Sequence, residues 1–295
     1  MSSSPIQGNT QGDAQGDAIP NATDPATVAP TGPATHIDEV LSRLTRIIAD
    51  SQGKDERTGY FAALYYKVTA RVKDGIARNE FEDGARMEKL DVTFANRYLA
   101  ALEGWQRGVA PTGSWSVALD STKRSSVLVL QHLLLGVNAH INLDLAIATV
   151  ETVRACGQSL SDIRKDYDAI NAIIGSLTYE VINEINRVSP LLSLLGLHGD
   201  RPELLLIQFS IGNARDGAWC FAEELDKHTG NAYAACIVSR DGDIAKLAGA
   251  LIQLKGFIRL TLWLVHVFEW KNPGKIIRVL DGLKKTFIRV GDLSA

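Results

Sequence analysis

A histidine four residues ahead of an aspartate on a helix sets an imidazole and a carboxylate on one face, and His140 and Asp144 have that spacing. Carried backwards at the same interval, the ridge takes in Gly136 and His132, all within about 120° of arc. Three kinds of chemistry are open to it. Neutral imidazole and carboxylate groups on helical faces can ligate a divalent metal ion, and His140, Asp144, Asp166 and Asp216 are the candidate ligands. Without a metal, histidine is the side chain suited to acid–base work near neutral pH, and a neighbouring carboxylate orients and tunes it. His132, His140 and Asp91 are the catalytic candidates, with Arg215 as a planar fork for a substrate carboxylate or phosphate. In the third reading the same groups satisfy one another in the core, since a buried polar group left unpaired costs about 1–3 kcal/mol. Gly136 is expected to leave open space between the two histidines.

These residues need a helix to carry them, and Val127 to Glu151 reads as one continuous central helix. A second polar stripe, Gln131, Asn138, Asn142 and Thr149, lies on its far side, with leucines, isoleucines and alanines between. An apolar circumference broken by two polar stripes implies burial on most sides and internal polar networks. Around it, three- and four-residue apolar spacing predicts helices over 37–51, 56–78, 88–105, 114–123 and about 158–188. Another opens at Asp200-Arg201-Pro202-Glu203, and a last long one spans about 243–270 before the break at Asn272-Pro273-Gly274. Residues 81–87 read as a polar connection. Almost no alternating stretch bounded by hairpin turns occurs, so the expected fold is all-α.

Asp91 shares a face with Phe94, Tyr98, Leu102 and Trp105. An acid in an aromatic stripe is a cap, half of an ion pair, or a functional group with a raised pKa. Asp166 lies beside the apolar stripe of its helix, whereas Asp168 points away to solvent. Further along, Leu205, Phe209, Asn213, Asp216 and Cys220 share one face, expected to be apolar and inward, and Arg215 and Trp219 share the next. No G-x-S-x-G, P-loop or G-x-G-x-x-G is present, which leaves a serine nucleophile and the common nucleotide sites unsupported. Cys156, Cys220 and Cys236 have no disulfide or zinc-knuckle spacing and are expected to be small buried hydrophobes.

The blocks FANRYL (94–99), LQHLLLGVNAHINLDLA (130–146) and NARDGAW (213–219) together resemble a family of uncharacterised, mostly bacterial, helical proteins with no assigned activity. Within these blocks Asn96, Asn138, Asn142, Asn213 and Trp219 are the candidate ligand-binding residues. A fainter resemblance is to the all-helical zinc-dependent phospholipase C and nuclease group, in which a His-x-x-x-Asp helix helps bind a metal cluster; His140 and Asp144 match that element.

Composition sets the frame. A formal net charge of −3 gives no electrostatic case for nucleic acid. Residues 1–35 lack Lys, Arg and any apolar run, and repeat Gln-Gly-Asp-Ala in tandem over 11–18. They read as a disordered tail without an export signal, ahead of one helical domain over 36–295, and point to the cytoplasm. Phe257 to Phe268 is too short and too interrupted to span a bilayer. Lys255, Arg259, Trp263, His266 and Trp270 share one face there, and with a basic ending over 270–295 they allow contact with a membrane surface or a packed helix whose long cations reach water. Two functions stand: an enzyme acting on a small molecule in an internal polar pocket, by metal-assisted hydrolysis or acid–base chemistry, or a non-enzymatic protein that binds a ligand, partner or membrane surface.

Overall fold

The computed structural model describes residues 32–192, 201–253 and 257–282. Among them all regular structure is helical: α1 (Ile37–Lys54), α2 (Gly59–Ala77), α3 (Gly84–Gln106), α4 (Gly113–Ser121), α5 (Val129–Ala139), α6 (Leu145–Cys156), α7 (Leu160–Val188), α8 (Arg201–Leu225), α9 (Gly230–Ile252), α10 (Phe257–Phe268) and α11 (Pro273–Asp281). The all-α fold expected from periodicity is the fold found.

Local chemistry sets where several helices begin. Asp83 accepts the backbone N–H of Arg86 at 2.9 Å, so α3 starts at Gly84, earlier than the apolar pattern alone predicts. The Asp162 carboxylate accepts the Ser159 N–H at 2.8 Å at the head of α7. Asn272, read as part of a break, is also a start: its side chain accepts the Lys275 N–H at 2.7 Å, with Pro273 in the first turn of α11.

α5 and α6 form the core. Leu135, Ala139, Leu143, Ala146, Ile147, Ala148 and Val150 are sealed from solvent, with α2, α4 and α9 packed around α5 and α3, α7 and α8 around α6. The run Val129–Cys156 has the length and composition of a membrane span, yet most of it is buried inside the protein. It is not the continuous α-helix expected. His140–Asp144 form a π-helical turn, closed by the Leu145 N–H on the His140 carbonyl. Such a turn inserts one residue and rotates everything after it by about 100° relative to an unbroken helix. Thr149 therefore leaves the stripe of Gln131, Asn138 and Asn142, and its hydroxyl donates to the Leu145 carbonyl at 2.7 Å.

Other expectations need correction. The helix expected over 243–270 is two, α9 and α10; both are apolar, so the pattern carries across the junction. On α8 the side chains of Leu205 and Phe209 lie outside the described residues, while Asn213, Asp216 and Cys220 of the same face are exposed. The face turned inward is Arg215, Ala218, Trp219 and Ala222, where two alanines permit close approach. Cys156 and Cys220 are exposed and Cys236 is half-buried, so none is a core hydrophobe. Of the tail assigned to 1–35, residues 1–31 lie outside the described residues. Near its end Ala34 is already buried, and the Asn96 side chain holds both its N–H (2.7 Å) and its carbonyl (2.9 Å).

Candidate functional site

His140 and Asp144 meet on the π turn. The imidazole Nδ1 lies 3.2 Å from Asp144 Oδ2, which also accepts from Trp115 Nε1 at 2.7 Å, while Arg97 Nε donates to Oδ1 at 2.8 Å. An ionised carboxylate only accepts, so Nδ1 carries the proton and Nε2 presents a lone pair. That Nε2 is buried and has no hydrogen-bond partner among the described residues. Burial pushes the His140 pKa below its ordinary value against the opposing pull of Asp144, which keeps the ring neutral at pH 7. Its plane is fixed by aromatic packing: Phe94 stacks on it at 3.5 Å between centroids, and Tyr65 meets it edge-on at 4.6 Å. Arg97 and Trp115, the two residues that hold Asp144, were not singled out from the sequence. Arg97 stands inside FANRYL, one turn after Phe94, and that was the available signal.

His140 is part of the wall of a cavity of about 300 Å³ enclosed by α2, α3, α5, α7 and α8. The wall is aliphatic and aromatic, including Leu64, Val68, Ile170, Ile174 and Val181. Leu134 lines it and is also exposed, so the cavity reaches the surface there. Its charged lining residue is Arg215. The guanidinium is buried; Nε donates to Asn171 Oδ1 at 2.6 Å, Nη2 donates to the Tyr167 carbonyl, and the group lies 4.4 Å from the Tyr167 ring centroid. Tyr167 returns a bond from its hydroxyl to the Arg215 carbonyl at 2.7 Å. Among the described residues no carboxylate is within ion-pair distance of Arg215: the nearby Asp168 is paired with Arg164 at 2.8 Å, and Asp216 is exposed. Burial accordingly draws the Arg215 pKa down. This cavity is apolar, not the polar His/Asp/Asn pocket expected: His140 and Arg215 line it, whereas His132, Asp144 and the candidate asparagines do not.

The second polar stripe is spent on α9. Gln131 Nε2 donates to the Leu251 carbonyl at 2.8 Å and Asn138 Nδ2 to the Ile244 carbonyl at 3.1 Å. Asn142 Nδ2 donates to Asn138 Oδ1 at 3.0 Å, and Arg240 Nε to the Asn142 carbonyl at 3.3 Å. These side chains dock one helix on another. Asn96 is engaged with Ala34 as described, Asn213 is exposed, and Trp219 packs on Tyr167 with its Nε1 donating to Glu223 at 2.8 Å.

His132 does not join His140. The position opened by Gly136 is filled by Phe61, whose ring carbons would lie 2.4–3.0 Å from a Cβ there. His132 sits on the other side of that ring, beside a space of about 20 Å³. Its Nδ1 is 3.1 Å from Ser121 Oγ, and burial pushes its pKa down to about 3. Nor do the proposed metal ligands converge. Asp166 accepts from the backbone of Glu82 (2.6 Å) and Asp83 (3.2 Å) and from Arg86 Nη2 (2.7 Å), which pins the α2–α3 connection to α7. Among the described residues no three of His, Cys, Asp and Glu are grouped to hold a metal ion. Asp91 stands apart as well. It lies inside α3 and is no cap, and among the described residues it has no ion-pair partner and its Oδ2 no hydrogen-bond partner; burial, helped by the charge of Glu88, pushes its pKa up to about 8.

A family model described as Family of unknown function (DUF5995) matches residues 37–254. The chain belongs to that family. No curated protein and no solved structure matches the chain. Every residue of the cavity wall, from Phe61 to Arg215, falls inside the span that defines DUF5995, whereas α10 and α11 lie beyond it.

Proposed function

We propose that this DUF5995 protein binds a small, largely apolar molecule carrying one anionic group, in the cavity walled by His140 and Arg215. The observation that carries the reading is Arg215: a buried cation with no carboxylate at ion-pair distance among the described residues, on the wall of an apolar cavity. Its hydrogen bonds are to neutral groups, the Asn171 side-chain and Tyr167 carbonyl oxygens, with Asp168 and Asp216 acting only from a distance; a ligand anion adds a direct ionic partner while its apolar part fills the remaining space. A volume of about 300 Å³ accommodates roughly ten water-sized groups, the size of a medium-chain fatty acid. His140 Nε2, a lone pair without a donor, adds a preference for a ligand hydroxyl or protonated group.

Calorimetric titration with octanoate and with 1-octanol tests this. Octanoate is expected to bind more tightly than the alcohol, and Arg215→Met to erase the difference. A hydrogen bond to a charged group contributes about 1.5–3 kcal/mol, so the loss for octanoate is roughly ten- to hundredfold. Equal binding of acid and alcohol, or an unchanged octanoate affinity in R215M, would refute the reading.

A second reading is favoured by the His140–Asp144 pair. A carboxylate holding Nδ1–H and leaving Nε2 bare is the arrangement of an orienting acid and a general base, so a bound ligand with an acidic proton is positioned to lose it. In D2O, the wild type is then expected to exchange such a proton while His140→Gln binds the ligand without exchanging it. Exchange that persists in H140Q rules this role out.

A further inference from the structure

We propose that α10 and the adjoining start of α11 form a docking surface for an anionic membrane. Among the described side chains of α10, Val265 is buried, and Thr261, Leu262 and His266 are half-buried. Its end is fixed to the body by buried Glu269, which accepts the Val129 N–H at 3.1 Å and the Ser189 hydroxyl, and by the Trp270 N–H on the Val188 carbonyl at 2.9 Å. The opposite face is apolar and open. Leu260 is 58% exposed, Trp263 61%, Val267 49% and Phe268 56%, with Leu264 between them. At 100° per residue these five fall within about 140° of arc. An apolar strip this exposed marks a surface that meets something else.

Charge identifies the partner. Where α10 ends, Trp270 lines a surface groove of about 580 Å³ together with Glu184, Arg187, Lys275 and Arg278. Glu184 is neutralised by Arg187 at 2.9 Å, which leaves the exposed Lys275 and Arg278 without a carboxylate partner among the described residues. Arg259 and Lys271 are exposed beside the apolar strip, and the acid of this segment nearest to it, Glu269, is turned inward. A locally cationic, tryptophan-bearing strip thus stands on a chain of net charge −3. Indoles and cations around an apolar helical face suit the boundary between lipid headgroups and acyl chains. A second copy of the chain fits less well, because a two-fold contact would set this cationic surface against itself. With only 12 residues, α10 lies along the interface rather than crossing it.

The proposal is independent of the cavity reading, and failure of octanoate to bind leaves it standing. The test is co-sedimentation of the full chain with vesicles of phosphatidylcholine alone and of phosphatidylcholine mixed equally with phosphatidylglycerol. Binding to the mixed vesicles is expected, with little to the neutral ones, and it should weaken steeply as salt rises. Lys275→Gln with Arg278→Gln should weaken it roughly thirtyfold, and Trp263→Glu with Phe268→Glu should abolish it. All four side chains are exposed, so circular dichroism of the variants should match wild type. Absence of sedimentation with mixed vesicles would overturn the proposal. So would equal binding to neutral vesicles, or a dimer in sedimentation velocity that W263E/F268E dissociates.

Discussion

Replacing Asp91 by asparagine should make the protein more stable at neutral and alkaline pH. The Asp91 carboxyl is buried in α3 with Oδ2 unpartnered, and burial followed by the Glu88 charge lifts its pKa from 3.8 to about 8. In the unfolded chain the same group titrates at about 3.9. Between these values the folded state keeps a proton that the unfolded state has released, so stability falls as pH rises, by about 1.4 kcal/mol per pH unit. The loss begins above the unfolded pKa and levels off once Asp91 ionises near pH 8. From pH 5 to pH 7.5 it amounts to roughly 3 kcal/mol. Asparagine keeps the shape and some of the hydrogen-bonding capacity but has no proton to lose. Urea denaturation of wild type and D91N across this range, read as the difference between the two stability curves, isolates Asp91 from the other buried groups. The difference should grow in favour of D91N with rising pH. Parallel curves, or a D91N variant less stable than wild type at pH 7.5, would refute the assignment of Asp91 as a neutral buried acid.

Two further substitutions examine the packing around the site. Gly136→Ala drives a Cβ into the Phe61 ring and should destabilise by about 1–3 kcal/mol. Phe61→Leu in the same chain should recover part of that loss in thermal melts, and a neutral G136A would mean that the ring does not occupy this position. Asp166→Asn strips the partner from buried Arg86 and should cost about 3–5 kcal/mol in urea melts; a loss below about 1 kcal/mol would show that the pair is not desolvated.

Much of the fold was legible because its causes are local. Stripes such as Ile163, Tyr167, Ile170 and Ile174 repeat at helical spacing, and most of their members are sealed in the core. The Ser159–Asp162 start of α7 could be read in the same way. What was not legible depends on neighbours distant in sequence. The space above Gly136 belongs to Phe61, and Asp166 answers to backbone groups at 82 and 83. On α8, apolar and polar residues occur on more than one face, and the buried one is chosen by how closely Ala218 and Ala222 allow α8 to pack. The π turn has no compositional signature in HINLD. Sequence spacing alone therefore paired His140 with Asp144 correctly but grouped Thr149 with the wrong stripe. Of the site itself, His140, Asp144 and Arg215 were visible as candidates. That His140 and Arg215 share one apolar cavity, and that His132 does not, follows only from the packing of α2, α7 and α8 around the central helix.

A crystal structure of the protein grown with octanoate shows whether Arg215 receives an anion inside an apolar cavity. The carboxylate is expected at the Arg215 guanidinium, the alkyl chain among Ile170, Ile174 and Val181, and the Asn171 and Tyr167 contacts of Arg215 retained. Electron density for octanoate only at the protein surface, or a cavity closed by its own side chains, would contradict this.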